Sequence, residues 1–249
     1  MDPGEYHRVR MLPKLVRSGG AALALALFPD RCAFCGTVLE RQRICARCRA
    51  ILPWIRHACS ICGQPLPGAT SLPLPCADCQ QRTPVFDRGR APLVYAFPVD
   101  TAIQGLKFRR QLWLGPAFAE LLEPLLEREF PAADALLPVP LHRWRQARRG
   151  FNQATEICLS LARASGLRIV HDVKRTRATQ SQSGLSATER RRNMRDAFGI
   201  TRRLGCRRPV IVDDVMTTGA TCSQLAEVLL RAGAASVGVL TVARATTNL

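Results

Sequence analysis

Pro209-Val210-Ile211-Val212-Asp213-Asp214-Val215-Met216-Thr217-Thr218-Gly219-Ala220-Thr221 carries more chemistry per residue than any other stretch of the chain. An apolar, β-branched run closes on two adjacent carboxylates, a small hydroxyl-rich turn follows, and residues 221–230 have the spacing of a helix. Leu225, Val228 and Leu229 fall on one face of that helix at i, i+3 and i+4, and Gly233 marks a stop. Strand, tight loop and helix is the geometry in which backbone N–H groups and the positive end of a helix converge on a phosphate. Thr217, Thr218 and Thr221 would add hydroxyl donors, and Gly219 lets the backbone approach a ligand. Asp213 and Asp214 stand where open α/β sheets bind ligands, at the carboxyl end of a strand. Turned toward a sugar, they would accept hydrogen bonds from vicinal ribose hydroxyls. A sugar with a phosphate on its 5′ carbon fits both halves. The plainer alternative, an acidic strand end capping the next helix, needs neither two adjacent acids nor the Thr-Thr-Gly-x-Thr run.

The 249 residues, 47% of them apolar, suffice for one domain of ordinary size plus a small one. The formal charge of +17 predicts attraction to polyanions without choosing among nucleic acid, diphosphate ligands and acidic proteins. Eight of the eleven cysteines form four C-x-x-C pairs: Cys32/Cys35, Cys45/Cys48, Cys59/Cys62 and Cys76/Cys79. Cys158, Cys206 and Cys222 are solitary, which argues against a secreted disulfide framework and for a reducing cytoplasm. Two such knuckles can fold into one tetrahedral thiolate site, so four pairs supply two structural zinc ions. Sequential pairing and an interleaved cross-brace both satisfy the spacing. The segment holds few large apolar residues beyond Leu39, Ile44, Ile51, Leu52, Trp54 and Ile55, so metal binding would contribute to its folding.

Before the cysteines, Arg10, Lys14 and Arg17 precede an apolar run over residues 19–28. The run is too short to span a bilayer, and Pro29-Asp30-Arg31-Cys32 is not a small-x-small cleavage site. The expectation is a basic, apolar helix over residues 1–30, a double zinc ribbon over 31–82 and an α/β domain over 83–249.

In that third part, residues 91–97 read as a strand, 99–108 as a short helix, and 113–129 as a helix bent or interrupted at Pro124. Residues 135–140 end a strand in prolines and open the basic run His142-Arg143-Trp144-Arg145-Gln146-Ala147-Arg148-Arg149, a turn whose guanidinium forks suit a diphosphate. A solvated basic turn is the alternative. Phe151, Ala154, Ile157, Cys158 and Leu161 lie on one stripe of the helix that follows. Residues 173–199 read as a basic strand, a polar loop around Gly184, and a basic helix opened by the capping box Ser186-Ala187-Thr188-Glu189. Such a loop between basic anchors has the make-up of a lid. Residues 235–244 supply a last strand, and the βαβα alternation implies a mostly parallel sheet covered by helices. Cys222, in the first turn after the loop, is a packing residue or a thiol acidified by the helix dipole. His142 would donate to a phosphate or cap its turn.

With these pieces placed, the chain resembles the ComF/GntX family, competence-type proteins with an N-terminal zinc ribbon and a C-terminal type I phosphoribosyltransferase domain. The matching residues are Leu27-Phe28-Pro29, Leu106-Lys107-Phe108, Pro138-Val139-Pro140-Leu141-His142, Arg148 to Ala154, and Arg175, Thr179, Gln182, Leu185, Arg190 and Asn193 with their spacing. The 209–221 run resembles the family's loop for phosphoribosyl pyrophosphate (PRPP), with Pro209 a mild departure. The resemblance implies Asp213 and Asp214 on the ribose as the catalytic pair, and Thr217, Thr218, Gly219, Ala220 and Thr221 on the 5′-phosphate. It further implies Lys107, Arg145, Arg148 and Arg149 as PRPP-binding, a mobile loop with Arg175 and Gln182, and Mg²⁺ carried on the diphosphate and ribose oxygens. A role in DNA uptake during natural transformation, handling single strands beside a helicase, follows from the same resemblance.

Two functions of different kinds remain in view. In the first, the chain is a binding module that engages PRPP or another ribose 5-phosphate and single-stranded DNA, with salt-dependent affinity. Aromatic platforms are its weak point, since only Trp54, Trp144 and Phe151 sit in basic surroundings. In the second, it is an enzyme that transfers ribose 5-phosphate from PRPP to an acceptor, with arginines stabilising the leaving diphosphate. No residues that would fix a purine or pyrimidine base are recognisable.

Overall fold

The computed structural model of the protein describes residues 30–40, 42–68, 74–175 and 198–246. Residues 1–29 of the expected N-terminal helix, with Leu27-Phe28-Pro29, and also Gln182 and the 186–189 capping box lie outside the described residues, while Asp30 opens a strand. The Cys-rich part holds β1 (Asp30–Arg31), β2 (Val38–Leu39), α1 (Ala46–Ile51) and α2 (Ala77–Gln81). The α/β part opens with β3 (Arg88–Arg90), β4 (Leu93–Val94), α3 (Val99–Arg109), α4 (Leu114–Glu129) and β5 (Ala135–Pro138). It goes on through α5 (Arg143–Arg149), α6 (Gln153–Ser165), β6 (Arg168–Ile169), β7 (Val173–Arg175) and β8 (Phe198–Ile200). It closes with β9 (Pro209–Met216), α7 (Ala220–Arg231) and β10 (Gly238–Arg244).

The run ending in Asp213-Asp214 is the middle of the main sheet. Strand order is β3-β10-β9-β5-β6, every pair parallel, with β4 continuing β3 along the same side of β10. The expected strand over 91–97 thus starts earlier, at Arg88, and is broken around Pro92, which has no N–H for the ladder. Parallel strands are covered on both faces and need continuous apolar runs, which β5 and the first half of β9 supply. Pro209 occupies the first position of β9, where a missing donor is tolerated. Val210 and Val212 face α4 and α6, packing with Phe118, Ile157 and Leu161. Ile211 faces the other way, in one cluster with Leu225 and Leu229 of α7.

This topology fixes where a ligand can sit. The chain leaves β5 through α6 toward β6 on one side, and leaves β9 through α7 toward β10 on the other. The two connections therefore diverge between β5 and β9, opening a crevice at the carboxyl ends of those strands.

Three sequence expectations need correction. α4 runs unbroken through Pro124, because Phe118, Leu121, Leu122 and Leu126 are buried along its length and outweigh one lost backbone bond. The arginine run is a short helix, α5, rather than a turn. The polar segment after β7 is followed by β8, which pairs antiparallel with β7 and was not anticipated.

The ribbon packs on the sheet instead of standing apart. Ile44 and Leu52 are buried in the cluster that includes Leu106 and Leu122. The backbone N–H of Ile55 donates to Pro92 O (2.9 Å), that of Val94 to Pro53 O (2.8 Å), and that of Gly89 to Ile61 O (2.6 Å). At this seam Gly63 has φ +69°, and a Cβ there would lie 2.8 Å from Gly89 O. Gly63→Ala is predicted to cost about 1–3 kcal/mol. In a chain of this size that lowers the melting temperature by roughly 2–4 °C per kcal/mol, read by circular dichroism. An unchanged melting temperature would contradict the close approach.

Candidate functional site

Asp213 and Asp214 end the buried part of β9 beyond Pro138, the last residue of β5. Asp214 is 3% exposed and Asp213 half-buried. Each carboxylate accepts the next backbone N–H: Asp213 Oδ1 from Asp214 and Asp214 Oδ1 from Val215, both at 2.9 Å. The second oxygen of Asp214 meets Lys107 Nζ at 2.6 Å. Lys107 reaches it from the last turn of α3, whose apolar face is anchored by Ile103 and Leu106. Burial, together with the charge of Asp214, pushes the Asp213 carboxyl well above the usual carboxylate range, and Lys107 offsets only part of this.

The 217–221 loop begins one residue after β9. Thr217 and Thr218 are exposed, and Gly219 at φ +75° turns the chain into α7. The first amides of a helix have no intrahelical acceptor, so this loop offers N–H groups and hydroxyls to an anion beside the acidic pair. Cys222, one turn further, is fully buried, and burial raises its thiol pKa, with Asp213 adding to the shift. The side chain packs in one cluster with Ile211 and Leu225.

Across the crevice, His142 Nδ1 caps α5 by accepting the Trp144 N–H at 3.4 Å, so the capping reading holds. α5 ends at Gly150, φ +78°. Arg149 donates to Gln153 Oε1 at 3.1 Å and stacks its guanidinium 5.0 Å from the Phe108 ring centroid. Lys107, Phe108, Arg110, Trp144, Arg148 and Arg149 line a groove of about 370 Å³. Lys107 therefore belongs both to this groove and to the acidic pair. Phe108 and Trp144 are 65% and 69% exposed, which no soluble core requires. A second cavity of about 430 Å³ lies beside Pro138, with Asn152, Thr155, His171 and Arg175 on its walls. Arg175 is the last residue of β7, with its guanidinium 5.5 Å from the Phe198 ring centroid. Of the expected site residues, the structure thus gathers Asp213, Asp214, Lys107 and the 217–221 loop at one strand end. Arg148 and Arg149 adjoin them through the groove, and Arg145 lies on α5.

The cysteines gather in sequence order: Cys32, Cys35, Cys45 and Cys48 in one set, Cys59, Cys62, Cys76 and Cys79 in the other. An interleaved brace is thereby ruled out. Within each set the sulfurs lie within 4.8 Å of one another, and Cys35–Cys45 and Cys62–Cys76 are each 3.7 Å apart. Zn–S bonds of 2.3 Å place sulfurs about 3.8 Å apart on a tetrahedron, so both sets fit a four-thiolate zinc. Each set holds at least one thiol shifted toward ionisation: Cys32 and Cys35 in the first, Cys59 in the second. The Thr37 hydroxyl brings Cys35 down to about 6. Burial alone would raise Cys59, yet the N–H groups of Cys62, Cys76 and Ile61 bring it to about 7.

Sequence reasoning missed Phe108 and Arg110 as groove residues, and it missed Arg244. Lys107 and Asp214 pair across more than half the length of the α/β part, which leaves no local pattern.

A model of the double zinc ribbon domain matches residues 23–80. DNA utilization protein YhgH of Escherichia coli is 38% identical over 219 residues, which cover 85% of this chain and 95% of that protein. Competence protein F of Haemophilus influenzae is 31% identical over 229 residues, covering 88% and 98%. Among solved structures, the glutamine PRPP amidotransferase of B. subtilis complexed with ADP and GMP is 22% identical, covering 51% of this chain and 26% of that one, with a TM-score of 0.35. Among the described residues no helix is long and apolar enough to cross a membrane.

Elemental analysis is predicted to return two zinc ions per chain, and fewer than two would contradict the paired sites. A second prediction follows from Asp213. Its raised folded pKa means stability is fully present below the unfolded value, about 3.9, and is lost as pH rises through the folded pKa. Asp213→Asn lacks that loss. Its melting temperature should rise relative to wild type as pH increases above about 4, and a constant difference would contradict the buried, raised carboxyl.

Proposed function

We propose a function for a chain that belongs to the competence protein F family: its crevice binds PRPP or another ribose 5-phosphate, and the protein handles single-stranded DNA during uptake. The observation that carries this reading is the acidic pair at the switch point, held by Lys107 and opening on the 217–221 loop. Asp213 and Asp214 accept hydrogen bonds from the ribose 2′- and 3′-hydroxyls. The amides and hydroxyls of Thr217 to Thr221 take the 5′-phosphate. Arg148 and Arg149, with Arg145 on the same helix, would serve the diphosphate, whose oxygens match planar guanidinium donors. Bound Mg²⁺ would neutralise charge on the diphosphate and ribose oxygens. Arg175, at the end of β7, and Gln182, outside the described residues, would be the mobile-loop contacts.

The single strand lies in the adjoining groove. Its phosphates meet Arg110, Arg148 and Arg149, and its bases stack on Phe108 and Trp144. The aromatic platforms that composition made scarce are supplied by two exposed rings among arginines. The work is cytoplasmic, beside a helicase, with residues 31–82 as the ribbon part and 83–249 as the ligand-binding part. A second reading, transfer of ribose 5-phosphate to an acceptor, draws on the cavity of about 430 Å³ beside Pro138, which is roomy enough for a base.

Isothermal titration with PRPP and Mg²⁺ tests the pocket. Charge-assisted hydrogen bonds are worth about 1.5–3 kcal/mol each, so Asp213→Asn/Asp214→Asn should weaken binding at least tenfold (~1.4 kcal/mol). Equal affinity in the variant would sink the assignment. The groove is tested with oligodeoxynucleotides: Trp144 fluorescence should be quenched, and Phe108→Ala or Trp144→Ala should cost about 1–3 kcal/mol of DNA affinity. PRPP binding should be untouched by Trp144→Ala, and DNA affinity unchanged in both variants would contradict stacking there.

A further inference from the structure

Arg244, the last residue of β10, is 4% exposed, a rare place for a guanidinium. Its donors divide between two parts of the molecule. Nε donates to Cys62 O at 3.3 Å, and Nη2 lies 3.8 Å from Cys62 Sγ, a member of the second cysteine set. Nη1 donates to Met216 O at 3.0 Å, to Ala245 O at 3.1 Å, and to the carbonyl of Thr217, the first residue of the loop beside the acidic pair.

A buried guanidinium costs several kcal/mol unless a counter-charge is close. Among the described residues no carboxylate forms an ion pair with Arg244. Among the described residues, the anionic group its donors approach directly is the second cysteine set. Four thiolates around one Zn²⁺ carry a net charge of about −2, with Cys62 Sγ next to the guanidinium. The knuckle itself is pinned to the sheet. Gly89 N–H donates to Ile61 O, and Arg90 Nη1 donates to Ser60 O at 3.1 Å. The first cysteine set is held differently. Glu120 of α4 accepts the Arg43 N–H at 2.7 Å and pairs with Arg49, on residues away from the crevice.

We propose that Arg244 is a positioning residue that couples the second zinc site to the ligand loop. With the thiolate cluster charged and closed, Arg244 is neutralised and holds the Met216 and Thr217 carbonyls, which sets the N–H groups of 218–221 toward the phosphate. Without it, the guanidinium loses its counter-charge and the start of the loop loses its clamp. This rests on the reading of 217–221 as a phosphate loop. Coupling is reciprocal, so a ligand on the loop should slow loss of zinc from the second set and leave the first unaffected.

The test uses the full-length zinc-loaded protein, with Arg244→Met and Arg244→Lys. Hydrogen exchange of a peptide spanning 215–224 should accelerate about tenfold in Arg244→Met, and less in Arg244→Lys, while a peptide spanning 32–48 keeps its wild-type rate. Affinity for ribose 5-phosphate should fall in Arg244→Met within the roughly 5- to 150-fold range of coupled sites. Wild-type exchange over 215–224 in Arg244→Met would overturn the coupling. If that variant does not fold, Arg244→Lys decides, and wild-type exchange and affinity in it would overturn the proposal equally. Equal ligand affinity in Asp213→Asn/Asp214→Asn, with faster loop exchange in Arg244→Met, would instead reject the ribose reading and uphold the coupling.

Discussion

Carboxylates on consecutive residues repel, and burial sharpens the repulsion because little water is left to screen it. β9 places such a pair at the end of a strand covered on both faces, and Lys107 answers with an amine 2.6 Å from Asp214. The arrangement explains why α3 must dock where it does. Its apolar face, Ile103 and Leu106, seats the helix so that the next residue, Lys107, points at the strand end. Asp213 is left with its pKa raised, only partly offset by Lys107, and among the described residues it forms no ion pair of its own. Perturbed carboxyls of this kind cluster at ligand sites, and here the pair also opens on the crevice and the 217–221 loop.

The ribbon and the α/β part share cores in place of a linker. Ile44 and Leu52 enter the cluster formed by α3 and α4, and residues 53–55 hydrogen-bond along β4. Metal binding therefore completes a packing that apolar burial has begun. The two zinc sites are also unlike in what they touch. One is tied to α4 through Glu120, while the other reaches through Arg244 to the loop that follows the acidic pair.

Much of this was legible in local sequence pattern. The 209–221 run declared strand, acids, loop and helix because each step has its own residue chemistry, and the C-x-x-C spacings declared two metal sites. What depended on distance in the chain was not legible. The family resemblance points to Lys107 as a ligand contact, but its ion pair with Asp214 shows only once α3 is placed, and Arg244 is a strand end until the ribbon folds over it. Phe108 reads as one more apolar residue of α3, yet it projects outward beneath Arg149. β8 is three residues long and takes its identity from pairing with β7. Pro124 misled in the opposite sense, since tertiary burial of α4 overrides a local breaker.

The central claim is that the crevice between β5 and β9 holds a ribose 5-phosphate. It is tested most directly by a crystal structure with PRPP and Mg²⁺. The ribose hydroxyls should lie on Asp213 and Asp214, the 5′-phosphate on the amides of residues 218–221, and Lys107 should be drawn from Asp214 toward the ligand. Ligand bound elsewhere, or a crevice unchanged at saturating PRPP with the Lys107–Asp214 contact intact, would contradict it.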